Sequence, residues 1–125
     1  MKETKEKLLF VCDNNMVRSP TAENIINTDE KYSSKYTAKS AGVYRGDMYG
    51  KIINGRVLKF LTEDMLLWTN MVFVFCQDHI TEIGRRFPGY KSENIVNLEI
   101  RDIYQDYMDA KLVALIKERI DVYLK

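Results

Sequence analysis

Between Leu8 and Pro20 the chain reads Leu-Leu-Phe-Val-Cys-Asp-Asn-Asn-Met-Val-Arg-Ser-Pro. Leu8 to Cys12 is too short and too uniformly apolar for a helix and reads as a strand buried on both faces. It breaks into a polar loop, and Ala22, Ile25 and Ile26 then recur at helical spacing. Pro20 pushes Ser19 out of the α region and is itself favoured in a first helical turn, so Ser19 is the expected N-cap. A buried strand entering a helix through a short loop aims backbone N–H groups and the positive end of a helix dipole at one point, which is an anion site. Cys12 stands at the start of that loop, where the field that holds an oxyanion also stabilises a thiolate. Arg18 can close the site as a planar, two-pronged clamp on phosphate oxygens. A strand of this kind needs cover on both faces, which restricts the fold to layered architectures.

The rest of the chain supplies the cover. Tyr36 to Ala41, Met71 to Cys76 and Asn94 to Leu98 read as further strands. Leu58, Leu61, Met65 and Trp68 repeat at helical spacing, predicting one or two helical segments over Arg56 to Trp68 with Trp68 in the core. Gln77 to Phe87 reads as a helix turning Ile80 and Ile83 (or Phe87) inward and stopped by Pro88-Gly89. Asp109 to Leu124 reads as an amphipathic helix built on Leu112, Leu115, Ile116, Ile120 and Tyr123. Asn27 to Ser34 is polar and turn-like, and Val43 to Gly55, with Tyr44, Tyr49 and three of the six glycines, reads as a surface loop. Alternation of strand and helix predicts an α/β sandwich around a mostly parallel sheet, with ligands outside the carboxyl ends of the strands. Cys12 sits at one such end and Asp102 follows another.

A length of 125 residues predicts a single domain over 1–125. The net charge of +1, with both signs interspersed, argues against a broad nucleic-acid surface, so any anion preference has to be local. Cys12 and Cys76 make neither a disulfide framework nor a Cys-x-x-Cys metal pattern. The charged Met1 to Lys7 and the short apolar run after it do not make a signal peptide or a membrane span. A cytoplasmic, reducing setting without membrane contact is expected.

Cys12-x5-Arg18-Ser19 resembles the phosphate-binding loop of cysteine-dependent phosphatases. The fuller string Val11-Cys12-x-x-Asn15-x-x-Arg18-Ser19-Pro20-Thr21-Ala22-Glu23 resembles the low-molecular-weight protein tyrosine phosphatases, and far more specifically than the bare Cys-x5-Arg pattern. The resemblance implies a three-layer sandwich with a four-stranded parallel sheet in the order 2-1-3-4 and the phosphate loop after the first strand. It implies a metal-independent, cofactor-free phosphomonoester hydrolase acting through a phosphocysteine on Cys12. Arg18 and the backbone N–H groups of Asp13, Asn14, Asn15, Met16 and Val17 would cradle the phosphoryl group. Ser19 would stabilise the thiolate, and Ser40 of Ser40-Ala41-Gly42 would hold Asn15. Asp102 of Asp102-Ile103-Tyr104 matches the family's general acid, with Asp106 and Asp109 as nearby competitors, and Tyr104 would line the entrance. Tyr44 and Tyr49 are either a wall for an aromatic phosphoester or ordinary loop tyrosines. The implied substrate is a phosphotyrosine protein or a small aryl phosphate, with inorganic phosphate and vanadate as inhibitors.

Three residues depart from the family pattern. Val17 replaces a second loop cysteine found in many members, which removes an in-loop disulfide. Asn14 stands where glycine is common, and asparagine tolerates the left-handed conformation. Asp13 puts a carboxylate directly after the nucleophile, where, unless it points outward, it works against the thiolate and repels phosphate. The chain is also shorter than the usual members and closer to small bacterial versions. His79, the one histidine, reads as structural or surface. Three competing functions share parts of the pattern. An arsenate reductase would need an external thiol, because only Cys76 accompanies Cys12. A phosphocysteine carrier needs neither Arg18 nor Asp102. A phosphate- or phosphoprotein-binding module without turnover would tolerate Asp13.

Overall fold

A computed structural model describes residues 4–124. In chain order the elements are β1 Glu6–Cys12, α1 Arg18–Thr28, α2 Glu30–Ser33, β2 Tyr36–Gly42, β3 Ile52–Ile53, β4 Arg56–Val57, α3 Glu63–Trp68, β5 Met71–Val74, α4 Gln77–Arg86, a 3-10 turn Ser92–Asn94, β6 Ile95–Asn97 and α5 Ala110–Ile120. Four strands form a parallel sheet in the order β2-β1-β5-β6, which is the expected 2-1-3-4 order of the sheet strands.

The two-residue period of β1 divides the interior into two cores. Leu8, Phe10 and Cys12 point to one face, where Ala22, Ile25 and Ile26 of α1 and Leu112, Ile116 and Ile120 of α5 cover them. Leu9 and Val11 point to the other, against Leu61, Leu66 of α3 and Ile83 of α4. These side chains are almost fully withdrawn from water, and burying each contributes roughly 1.5–3 kcal/mol. The alternation sends Cys12 toward α1, and the register sets it opposite Gly42. Among the described residues no helix is long and apolar enough to cross a membrane.

Several local expectations are corrected. Helix α1 begins at Arg18 with Val17 as its N-cap, so Ser19 lies inside the first turn, and no side chain caps the helix. Asn27 to Ser34 is not only a turn, because α2 interrupts it, capped by the Asp29 carboxylate on the Lys31 N–H. Residues 56–62 are not helical. Asn54 and Gly55 both take positive φ (55° and 76°), and this Asn-Gly turn folds β3 against β4 as a hairpin. Only Glu63–Trp68 is helical, and Trp68 is half-buried at the surface with the Lys39 Nζ 4.4 Å from its ring centroid. β5 stops at Val74, and Cys76 flanks α4 in extended conformation.

Candidate active site

A cavity of about 160 Å³ opens at the carboxyl end of β1, lined by Cys12, Asp13, Asn14, Met16, Val17, Arg18 and Asp102. The uncapped start of α1 belongs to it. With no side chain consuming the first-turn N–H groups, those donors remain for an anion.

Asn15 organises the floor. It is fully buried and has φ 60°, a left-handed conformation that asparagine tolerates; the left-handed position of the loop is thus Asn15 and not Asn14. Its Nδ2 donates to Ser19 Oγ at 3.0 Å and to Ser40 Oγ at 2.8 Å. Its Oδ1 accepts from the Lys59 N–H at 2.9 Å and from Arg56 Nη2 at 3.0 Å, while Arg56 Nη1 donates to its backbone carbonyl at 3.0 Å. Ser40 in turn donates a hydrogen bond to the Glu23 carboxylate. Ser19 Oγ, already accepting from Asn15, stands 3.0 Å from Cys12 Sγ and 3.3 Å from the Ala41 carbonyl. Its single proton is within reach of both the Ala41 carbonyl and the sulfur, and a thiolate, as the stronger acceptor, would draw it. Among the described residues no buried side-chain polar atom lacks a partner. The strand–loop approach is close: a Cβ on Gly42 would lie 2.7 Å from the Asn14 carbonyl carbon, so only glycine fits.

Arg18, almost fully buried, forms the opposite wall. Nη1 donates to the Ile100 carbonyl at 2.8 Å, Nη2 is 3.3 Å from Asp13 Oδ1, Nε is 3.7 Å from Asp102 Oδ1, and the guanidinium lies over the Phe75 ring. The segment carrying Asp102 is pinned on both sides. Ile100 donates its N–H to Phe75 O at 3.0 Å, and the Met108 N–H donates to buried Thr21 Oγ1 at 3.0 Å. Asp13 does not point away from the site. Its Oδ1 also contacts His79 Nε2 at 2.6 Å, and His79 is fully buried. The Phe75 N–H donates to His79 Nδ1 at 3.2 Å, which places the ring proton on Nε2. Burial holds the His79 pKa below its usual value against the opposing pull of Asp13.

The expected site residues meet with one exception. Tyr104 does not line the cavity: it is half-buried against the core beneath α1 and α5, while its neighbour Ile103 takes the exposed position. Tyr44 and Tyr49 are not cavity walls either. The Tyr49 hydroxyl turns back to the carbonyls of Tyr44 and Asp13, and burial, with Cys12 nearby, pushes its pKa up to about 12. Two residues that hold the loop escaped the sequence. Arg56 falls within the span that helical spacing predicts as helix, although the Asn54-Gly55 turn before it carries a hairpin signal. His79 carried no local signal for its bond to Asp13.

Residues 7–72, more than half of the chain, match the model of the family described as low molecular weight phosphotyrosine protein phosphatase. The chain belongs to this family of protein-tyrosine phosphatases. Solved structures share the fold. A low molecular weight protein tyrosine phosphatase from T. tengcongensis is 24% identical with a TM-score of 0.71, over 94% of this chain and 99% of that one. Wzb of Vibrio vulnificus, solved with benzylphosphonate, is 20% identical with a TM-score of 0.73, over 96% and 97%. The tyrosine phosphatase AmsI of Erwinia amylovora is 22% identical with a TM-score of 0.71, over 95% and 93%. No curated protein matches the chain in sequence. In this phosphatase the matched segment contains the loop, Ser40 and Arg56 but ends before His79 and Asp102.

Proposed function

We propose that the protein hydrolyses phosphomonoesters, with phosphotyrosine proteins or small aryl phosphates as substrates, through a phosphocysteine on Cys12 and without a metal. The observation that carries the reading is the convergence of Cys12, Arg18 and Asp102 on one cavity with Ser19 3.0 Å from the sulfur. The Cys12 thiolate attacks phosphorus while the bond to the ester oxygen breaks, and Asp102 gives that oxygen a proton. Arg18 and the loop N–H groups meet the charge on the equatorial oxygens, the task that metal ions perform elsewhere. Asp102, now ionised, takes a proton from water as the water attacks the phosphocysteine, and Cys12 leaves as a thiolate held by Ser19. The benzylphosphonate bound by the Vibrio Wzb structure has the shape of an aryl phosphate, which supports this substrate class. A reducing, cytoplasmic setting suits the unprotected Cys12.

Hydrolysis of an aryl phosphate near pH 6, with chelator and reductant present, tests the reading. Cys12→Ser should abolish turnover, and Asp102→Asn should lower kcat by about 10²-fold or more. A second reading, phosphate binding without turnover, draws on the Asp13 contact with Arg18. Phosphate binding by a wild type that turns nothing over would establish it in place of the first.

A further inference from the structure

We infer that Asp13, anchored by His79, is a specificity-determining residue of this site: it is a resident anion on Arg18 that an incoming phosphoryl group must displace, and it sets how tightly the site takes oxyanions. The inference rests on the cavity being the phosphoryl site proposed above.

The arrangement is built rather than incidental. His79 is buried at the start of α4 and its ring is fixed at both nitrogens, accepting from the Phe75 N–H at Nδ1 and facing Asp13 Oδ1 with Nε2. An Nε2–H donor 2.6 Å from a carboxylate makes a strong, charge-assisted hydrogen bond. The same Oδ1 lies 3.3 Å from Arg18 Nη2, so one oxygen joins His79 to the guanidinium. The Asp13 side chain keeps 37% of its surface exposed and lines the cavity. Arg18 is thus spoken for on three sides, by Asp13, Asp102 and the Ile100 carbonyl.

A phosphoryl dianion needs the guanidinium in the two-pronged arrangement, and an anion already there competes for it. At the rim of a cavity floored by buried Arg18, the two negative charges repel more than they would in bulk water, with the effect moderated by the exposed side of Asp13. His79 decides whether Asp13 can yield. Tethered by the imidazole, the carboxylate stays near Arg18; untethered, its exposed side gives it water to move into.

Titration of inorganic phosphate into the folded protein, followed by calorimetry, reads the effect without requiring turnover. Asp13→Asn keeps an oxygen acceptor for His79 and removes only the charge. It should tighten phosphate binding by about tenfold, roughly one carboxylate's repulsion after solvent screening. His79→Phe, checked for a cooperative melt, should tighten binding by a smaller factor. In the active enzyme the same Asp13→Asn change should raise kcat/KM of an aryl phosphate through a fall in KM. Damage to a loop weakens binding, so a gain identifies competition. Unchanged or weaker phosphate binding in Asp13→Asn overturns the inference, as does weaker binding in folded His79→Phe. Tighter binding in Asp13→Asn without any turnover in wild type would uphold it while removing the phosphatase reading.

Discussion

At the floor of the cavity Asn15, Ser19 and Ser40 are fully buried and both side-chain polar atoms of Asn15 have partners, whereas at the rim Asp102 is 59% exposed and lies 3.7 Å from Arg18. The floor resembles a protein core written in polar atoms. Its geometry is over-determined, and its side chains hold shape and function together. The rim contributes a group that must gain and lose protons in contact with water, so it is left loosely paired. One site therefore combines a rigid charge cradle with an accessible acid, and the two parts should respond differently to mutation.

The sharpest test of that difference is Asn15→Ala. It takes the Oδ1 acceptor from the Lys59 N–H and from Arg56 Nη2 and removes two donors from Ser19 and Ser40, so a loss of about 3 kcal/mol in stability is expected, together with near-complete loss of activity. Asp102→Asn should leave the urea midpoint within the ordinary scatter of surface substitutions, about 0.5 kcal/mol, while kcat collapses. Equal destabilisation by the two changes would erase the distinction between floor and rim. Ser40→Ala is milder, costing about 1–2 kcal/mol and several-fold in kcat/KM, because the Asn15 side chain keeps three of its four bonds.

The smallest effect is one of pH. The folded state holds His79 neutral below its usual pKa of 6.5, so the unfolded chain binds the extra proton. This stability is therefore fully present above pH 6.5 and falls as the pH drops from there toward the depressed folded value. Protonation would turn Nδ1 from acceptor into donor against the Phe75 N–H. Urea unfolding between pH 7.5 and 5.5 should show a declining stability in wild type and a flatter profile in His79→Gln; parallel profiles would count against a buried neutral imidazole.

The floor was far more legible in the sequence than the connections behind it. Strand, loop and helix lie within about twenty residues, so local pattern alone placed Cys12 and Arg18 together, and the family resemblance added Ser40 and Asp102. Arg56 and Asn15 are 41 positions apart, and His79 and Asp13 are 66 apart. Such pairs are created by the order of strands in the sheet, and no periodicity announces them. Trp68 shows the same limit at the surface: helical spacing predicted its face, but not that α3 is too short to bury it. Tyr104 turns into the core instead of the entrance the resemblance implied, because an irregular segment carries no periodicity that fixes which side chain faces inward.

Arg56 reaches Asn15 from β4, two residues paired with two, beside Ile52 at 72% and Val57 at 47% exposure. A ribbon that short has little cooperativity of its own, and it opens at a lower free energy than the central sheet. One tie of the most enclosed part of the molecule is thus fastened to a piece of its periphery. On warming, the ribbon is expected to part first, releasing Asn15 on that side while the parallel sheet is still whole. Inactivation should then run ahead of melting, with the hairpin setting the temperature at which activity is lost.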